Sequence, residues 1–234
     1  RKVSALPLSP RLARLVVEAV DRGVGEEGKA VAAALSAGDR LEGDSHATGP
    51  SDLLALADAG LSPRAGKIFR QLGGRAHRKT QHASDEAILL SILSGFPDRV
   101  ARRSGQQYLL SGGGSGILAR NSVVRDAEFL IAVEAETRPD FQAGGGQALI
   151  RLASKVEPEW LIDLFPDRVE DRSGLQWNRQ AERAEAISSL VYDGLVLLES
   201  WDGAADPEQI AGLLAEKAWE AGLERFVDPE ELDQ

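Results

Sequence analysis

The sequence predicts an α+β protein: a helical bundle in front, a small β-barrel behind it, and a C-terminal helix. Three observations carry that prediction. Five segments within residues 1–95 run from a serine, glycine or acidic start through an apolar stripe to a glycine stop, the punctuation of short amphipathic helices. From Phe96 onward, short apolar stretches alternate with glycine-rich turns, as in hairpins. The chain has 234 residues and is 43% hydrophobic, enough for one large or two medium cores.

The helices come first. LPLSPRLARLVVEAVDRG (Leu6–Gly23) offers Ser9 as a cap and Pro10 at the first helical position, with Leu12, Leu15, Val16, Ala19 and Val20 along one face. Gly23 stops it, in the left-handed conformation where a side chain would clash. GEEGKAVAAALSAG (Gly25–Gly38) follows, with Glu26 and Glu27 in the first turn, where acids favour the helix dipole. The polar loop LEGDSHATGP (Leu41–Pro50) leads to SDLLALADAG (Ser51–Gly60) and SPRAGKIFRQLG (Ser62–Gly73), each opened by a serine. Beyond the basic connector GRAHRKTQHA, SDEAILLSILSG (Ser84–Gly95) is the fifth helix.

Strands follow. GQQYLLSGGGSGILAR sets two apolar stretches around a glycine-rich turn, and FLIAVEAE (Phe129–Glu136) and ALIRLAS (Ala148–Ser154) are strand-like. PEWLIDLF (Pro158–Phe165) reads as a short helix. RVEDRSGLQWNR and the hairpin SSLVY-Asp193-Gly194-LVLLES add further strand. Short strands, glycine turns and one late helix suit a small Greek-key barrel of the OB type. DPEQIAGLLAEKAWEAG (Asp206–Gly222) is the last helix. The expected organisation is a helical domain over 1–95, an OB-type domain over 96–203, and the start of a further extension over 204–234.

Composition narrows the function classes. Cysteine is absent, which excludes disulfides and thiolate metal sites and suits a reducing cytosol. No run of about eighteen apolar residues exists, so a cytoplasmic protein with no membrane partner is expected. The chain opens Arg1-Lys2 and contains no methionine, and reads as a piece of a longer protein. The net charge of −10 is unevenly spread. Residues 1–95 carry 13 Lys/Arg against 11 Asp/Glu, residues 96–155 carry 8 against 6, and residues 156–234 carry 6 against 20. The acidity lies in the last third, and a near-neutral front with clustered arginines remains compatible with phosphate binding.

Several strings look like catalytic motifs and are better read otherwise. GVGEEGKA (Gly23–Ala30) has the spacing of a phosphate-binding loop, but Ala30 stands where a hydroxyl must hold Mg²⁺, a helix precedes it, and Glu26 and Glu27 repel phosphate. It reads as a helix stop followed by a helix start. SGGGSG (Ser111–Gly116) fails the nucleophile-elbow pattern at Ile117 and reads as a hairpin tip. His77 and His82 are five residues apart with no carboxylate between them, poor spacing for a metal. Glu230 and Glu231 are solvated tail charges. No catalytic, cofactor or metal residue is assigned.

Basic residues are the remaining candidates. In SPRAGKIFRQLG the stripe Ala65, Ile68, Phe69 and Leu72 places Arg64, Lys67 and Arg70 on the opposite face, and Arg75, Arg78 and Lys79 continue the run. No Asp or Glu occurs between Asp58 and Asp85. Arg99, Arg102 and Arg103 form a second group, joined by Tyr108 and Arg120. Cations beside a barrel track a single strand's phosphates, with aromatics for stacking. The plainer alternative is a solvated face. The tryptophans Trp160, Trp177, Trp201 and Trp219 all lie in the acidic third and are read as core.

Two strings carry a family resemblance: LPLSPRLA at Leu6–Ala13 and FPDRVARR at Phe96–Arg103. In that order they resemble the region just after the motor of DEAH-box helicases, most closely the bacterial HrpB-type ATP-dependent helicases. The resemblance implies a ratchet-like helical domain, then an OB-fold, then the start of a family-specific extension. QLGGRAHR (Gln71–Arg78) resembles the arginine motif of helicase motors but lies on the wrong side of LPLSPRLA, and no DEAH tetrapeptide occurs. The resemblance therefore implies a chain with no motor and no cofactor of its own. ATP and Mg²⁺ would belong to the RecA-like motor domains of the parent chain, a partner together with single-stranded RNA or DNA. The rival expectation is a protein–protein docking module with an acidic tail that never touches nucleic acid.

Overall fold

A computed structural model describes residues 8–43, 47–75, 85–137, 147–178, 183–202, 210–212, 215 and 219. The chain divides into two compact units, Arg1–Pro166 with Asp193–Leu195, and Asp167–Tyr192 with Val196–Gln234.

The first unit opens with α1 (Pro10–Asp21), α2 (Gly25–Ala37), α3 (Asp52–Ala59), α4 (Pro63–Gln71) and α5 (Asp85–Gly95). Their ends follow the sequence punctuation. Ser51 Oγ accepts from Leu53 N at 3.1 Å, Ser62 Oγ from Ala65 N at 3.1 Å, and Gly23 takes φ 80°. Two details differ from expectation. Ser9 makes no side-chain cap, so α1 begins on the preset φ of Pro10 and the Ala13 N–H to Ser9 carbonyl bond. Val20 is 53% exposed and stands outside the buried face of Leu12, Leu15, Val16 and Ala19.

Helix α2 packs against α1, α3, α4 and α5. That is why Ala30, Val31, Ala32, Ala33 and Ala34 are all buried: a helix enclosed on several sides needs small apolar residues all round. A Cβ on Gly28 would fall 2.3 Å from the Ala19 methyl, so the missing side chain sets the close approach of α1 and α2. Between α1 and α5, Gly95 does the same, 2.9 Å from the Arg11 carbonyl.

Next come β1 (Val100–Ser104), β2 (Gln107–Leu110), β3 (Ser115–Leu118), β4 (Phe129–Thr137) and β5 (Gln147–Val156), followed by α6 (Pro158–Leu164). The strands close in the order β1-β2-β3-β5-β4, with β4 antiparallel to β1 and β3 parallel to β5. Inside lie Ala101, Tyr108, Val123, Val124, Ala127, Leu130, Ala132, Ile150 and Ala153. The arginine-rich string after FPDR is itself a strand: Val100 and Ala101 are buried while Arg102 and Arg103 turn outward at the end of β1.

The helices are joined to the barrel through polar seams within this unit. Asp52, at the start of α3, is fully buried. Its carboxylate accepts from Val123 N at 2.7 Å, Ala153 N at 2.8 Å and Ser122 Oγ at 2.9 Å. Beside it the Ser51 and Ser154 hydroxyls are 2.6 Å apart. At a second seam Arg11 of α1 forks onto Asp98, with a 2.7 Å bond to Oδ2, and its guanidinium lies 5.7 Å from the Phe96 ring centroid. The strings LPLSPRLA and FPDRVARR, separated in sequence, thus meet at one joint.

In the second unit β6 (Val169–Asn178), β7 (Arg183–Tyr192) and β8 (Leu195–Asp202) form a sheet of order β6-β7-β8. Asp193 (φ 43°) and Gly194 (φ 89°) make the tight β7–β8 turn. The sequence pattern puts these strands in the barrel domain; five strands ending at Val156 already close it, so the later ones pair among themselves. The helix expected over 206–222 lies largely outside the described residues.

FPDRV occurs twice, at Phe96–Val100 and Phe165–Val169. Both copies leave a helix, pass through a 3₁₀ turn and start a strand. Their phenylalanines have matching backbones, φ −134°, ψ 45° and φ −136°, ψ 53°. Pro presets φ for the turn, and the string acts as a transferable helix-to-strand connector. Only the first copy's aspartate meets an arginine among the described residues.

Candidate nucleic-acid interface

The cationic face of α4 is built by its apolar one. Ala65, Phe69 and partly buried Ile68 pack on Ala30 and Ala33 of α2, which leaves Arg64, Lys67 and Arg70 exposed. Among the described residues no carboxylate pairs with these three. Arg75 is exposed too, and its backbone N–H donates to Glu26 Oε2 at 2.6 Å. Arg78 and Lys79 lie outside the described residues, as do His77 and His82.

Glu26 and Lys29 hold the end of this helix in place. Lys29 Nζ donates to Glu26 Oε1 at 2.8 Å and to the Gly73 carbonyl at 3.3 Å. The Lys29 hydrogen bond is the main cause that holds the Glu26 carboxyl below the usual range. In GVGEEGKA the lysine is held by Glu26 and the Gly73 carbonyl, Gly25 onward is helix, and α1 precedes it. SGGGSG likewise forms the β2–β3 turn, with Gly113 at φ 89° and Gly114 at φ 81°. Among the described residues no group of His, Asp and Glu is arranged to hold a metal.

The barrel's cationic group is engaged with the protein itself. Arg99 donates to the Val133 carbonyl at 2.7 Å and lies 5.9 Å from the Phe96 ring. Arg102 pairs with Glu128 at 3.3 Å over the Phe129 ring. Arg103 donates to the Arg125 carbonyl at 2.9 Å. Arg120 is exposed, and its carbonyl accepts from Arg125 at 3.1 Å. Arg125 was not singled out in sequence, because its place in this network depends on the fold of the β3–β4 loop.

Tyr108 does not offer a ring for stacking. It is 2% exposed inside the barrel, and its hydroxyl donates to the Ala127 carbonyl at 2.9 Å. Burial pushes that hydroxyl's pKa above the usual value. The tryptophan expectation also changes: Trp160 is half-buried and Trp219 is 74% exposed, while the side chains of Trp177 and Trp201 lie outside the described residues. The structure leaves two separate cationic groups, one on α4 with no carboxylate partner among the described residues and one woven into the barrel wall.

No protein-family model matches the chain, and no curated protein matches it. Solved structures do. The chain is similar to the E. coli DExH-box NTPase HrpB at 22% identity and TM-score 0.60, over 95% of this chain and 26% of that chain. A second structure, the Escherichia coli DEAH/RHA helicase HrpB, matches at 20% identity and TM-score 0.59, over 95% of this chain and 27% of that chain. The chain spans about a quarter of the length of these helicase structures, and at this identity the likeness is one of fold. Among the described residues no helix is long and apolar enough to cross a membrane.

Proposed function

We propose that this chain is the accessory region of an ATP-dependent helicase of the DEAH/DExH type, guiding single-stranded RNA or DNA past a motor carried elsewhere in the parent protein. The observation that carries the reading is the fold likeness to two HrpB structures over 95% of the chain. The barrel order β1-β2-β3-β5-β4 supports its assignment as an OB-fold, a frequent oligonucleotide-binding barrel. In this reading the helices are the ratchet-like part, and ATP and Mg²⁺ belong to the RecA-like domains of the parent, in the cytoplasm. Of the cations weighed from sequence, the exposure of Arg64, Lys67, Arg70 and Arg75 supports a phosphate-contact role for them. Arg99, Arg102 and Arg103 act first in the fold.

Fluorescence anisotropy with labelled single-stranded RNA tests this. Binding should weaken as salt rises, because each neutralised phosphate releases counterions, with a slope of about −0.7 per contact. Replacing Arg64, Lys67 and Arg70 together by Ala should weaken binding at low salt and flatten that slope by about 2. Binding and slope identical to the parent chain would reject the assignment.

A further inference from the structure

Four glycines lie inside α1–α5: Gly25, Gly28, Gly66 and Gly95. Three are required by packing. A Cβ would fall 2.8 Å from the Val20 side chain at Gly25, 2.3 Å from Ala19 at Gly28, and 2.9 Å from the Arg11 carbonyl at Gly95. Gly66 is different. Among the described residues a Cβ there would meet only Arg70 Nη1, at 3.8 Å, an ordinary contact that alanine satisfies without movement. Its φ is not positive, so no backbone strain calls for glycine either. Glycine in a helix interior is destabilising relative to alanine, and α4, with nine residues, is short. Among the described residues nothing requires the side chain at 66 to be missing.

Close approach by a group other than the described residues is the remaining use of a glycine there. Gly66 is half-buried on the flank of α4, between the packed side of Phe69 and the cationic face, with Lys67 following it and the Arg70 guanidinium beside it. We infer that Gly66 is a notch at the edge of the cationic face where a phosphodiester group of a single strand rests against the helix surface, flanked by Lys67 and Arg70. The inference rests on the nucleic-acid reading above and adds the point of closest approach. The notch matters because a phosphate held against the helix surface reaches both cations, whereas a side chain at 66 would hold it off.

The test uses the full chain with Gly66→Ala and Gly66→Leu, a fluorescein-labelled oligouridylate as probe, and thermal melting followed by circular dichroism. Gly66→Ala should raise Tm by about 1–3 °C and weaken binding about 3- to 10-fold. Gly66→Leu should weaken it more than 10-fold with helicity unchanged. If both variants bind like the parent while the Arg64/Lys67/Arg70 triple variant loses affinity, the notch is wrong and the nucleic-acid reading stands. If the parent chain does not bind at low salt, both fall. Binding of an oligoglutamate probe with the same dependence on residue 66 would overturn the phosphodiester assignment in favour of an acidic peptide.

Discussion

Asp52 concentrates the stability of the helix–barrel seam in one side chain. Two backbone N–H groups and one hydroxyl converge on its two oxygens, so the position requires a group that only accepts. Burial is the main influence on its pKa and pushes it above the usual carboxylate value, against the pull of the bonds from Val123, Ala153 and Ser122. Asparagine would turn its NH₂ toward a donor. Asp52→Asn should cost about 1–3 kcal/mol and Asp52→Ala at least as much, since each strands buried donors; urea denaturation measures both. A loss below a few tenths of a kcal/mol would show that the seam relaxes around the change.

Among the elements, α1 and α2 are set by contact at a single glycine. The space between Gly28 and Ala19 has no room for a methyl group, and both neighbours are backbone-near atoms that cannot rotate away. Gly28→Ala should therefore destabilise by about 1–3 kcal/mol, the usual cost of overpacking, although alanine is the better helix former. The contrast with Gly66→Ala is the useful comparison. The same substitution in neighbouring helices should shift Tm in opposite directions, which calorimetry on the two variants resolves.

For the molecule as a whole, the Arg11–Asp98 pair ties the first helix to the entrance of the barrel. The Arg11 hydrogen bond is the main cause that holds the Asp98 carboxyl below its ordinary value. A depressed carboxylate contributes stability that is complete above the unfolded-state value, about 4, and is lost as the pH falls through the folded-state value. The difference in urea midpoint between the parent chain and Asp98→Asn should thus be present at neutral pH and close in acid. Both side chains are partly exposed, 41% and 44%, so the difference should also shrink with added salt. A gap that stays constant with pH would assign the joint to the packing of Phe96 rather than to charge. The second FPDRV copy makes the point from the other side. Identical residues repeat the local connector at Phe165–Val169, yet no arginine meets Asp167 among the described residues.

The serine caps of α3 and α4, the glycine stop of α1, the β2–β3 and β7–β8 turns, and the opposed faces of α4 were legible in the sequence alone. Caps, glycine stops and apolar stripes act through bonds between residues three or four apart. The exposure of the α4 cations was legible for the same reason. Tertiary structure alone decided which strands close the barrel, that Tyr108 is core, and that Arg99, Arg102 and Arg103 are held by carbonyls, a carboxylate and rings. It also revealed Asp52, whose partner Ala153 stands 101 residues away. Such pairings depend on chain closure over long separations, and no local spacing of residue types records them.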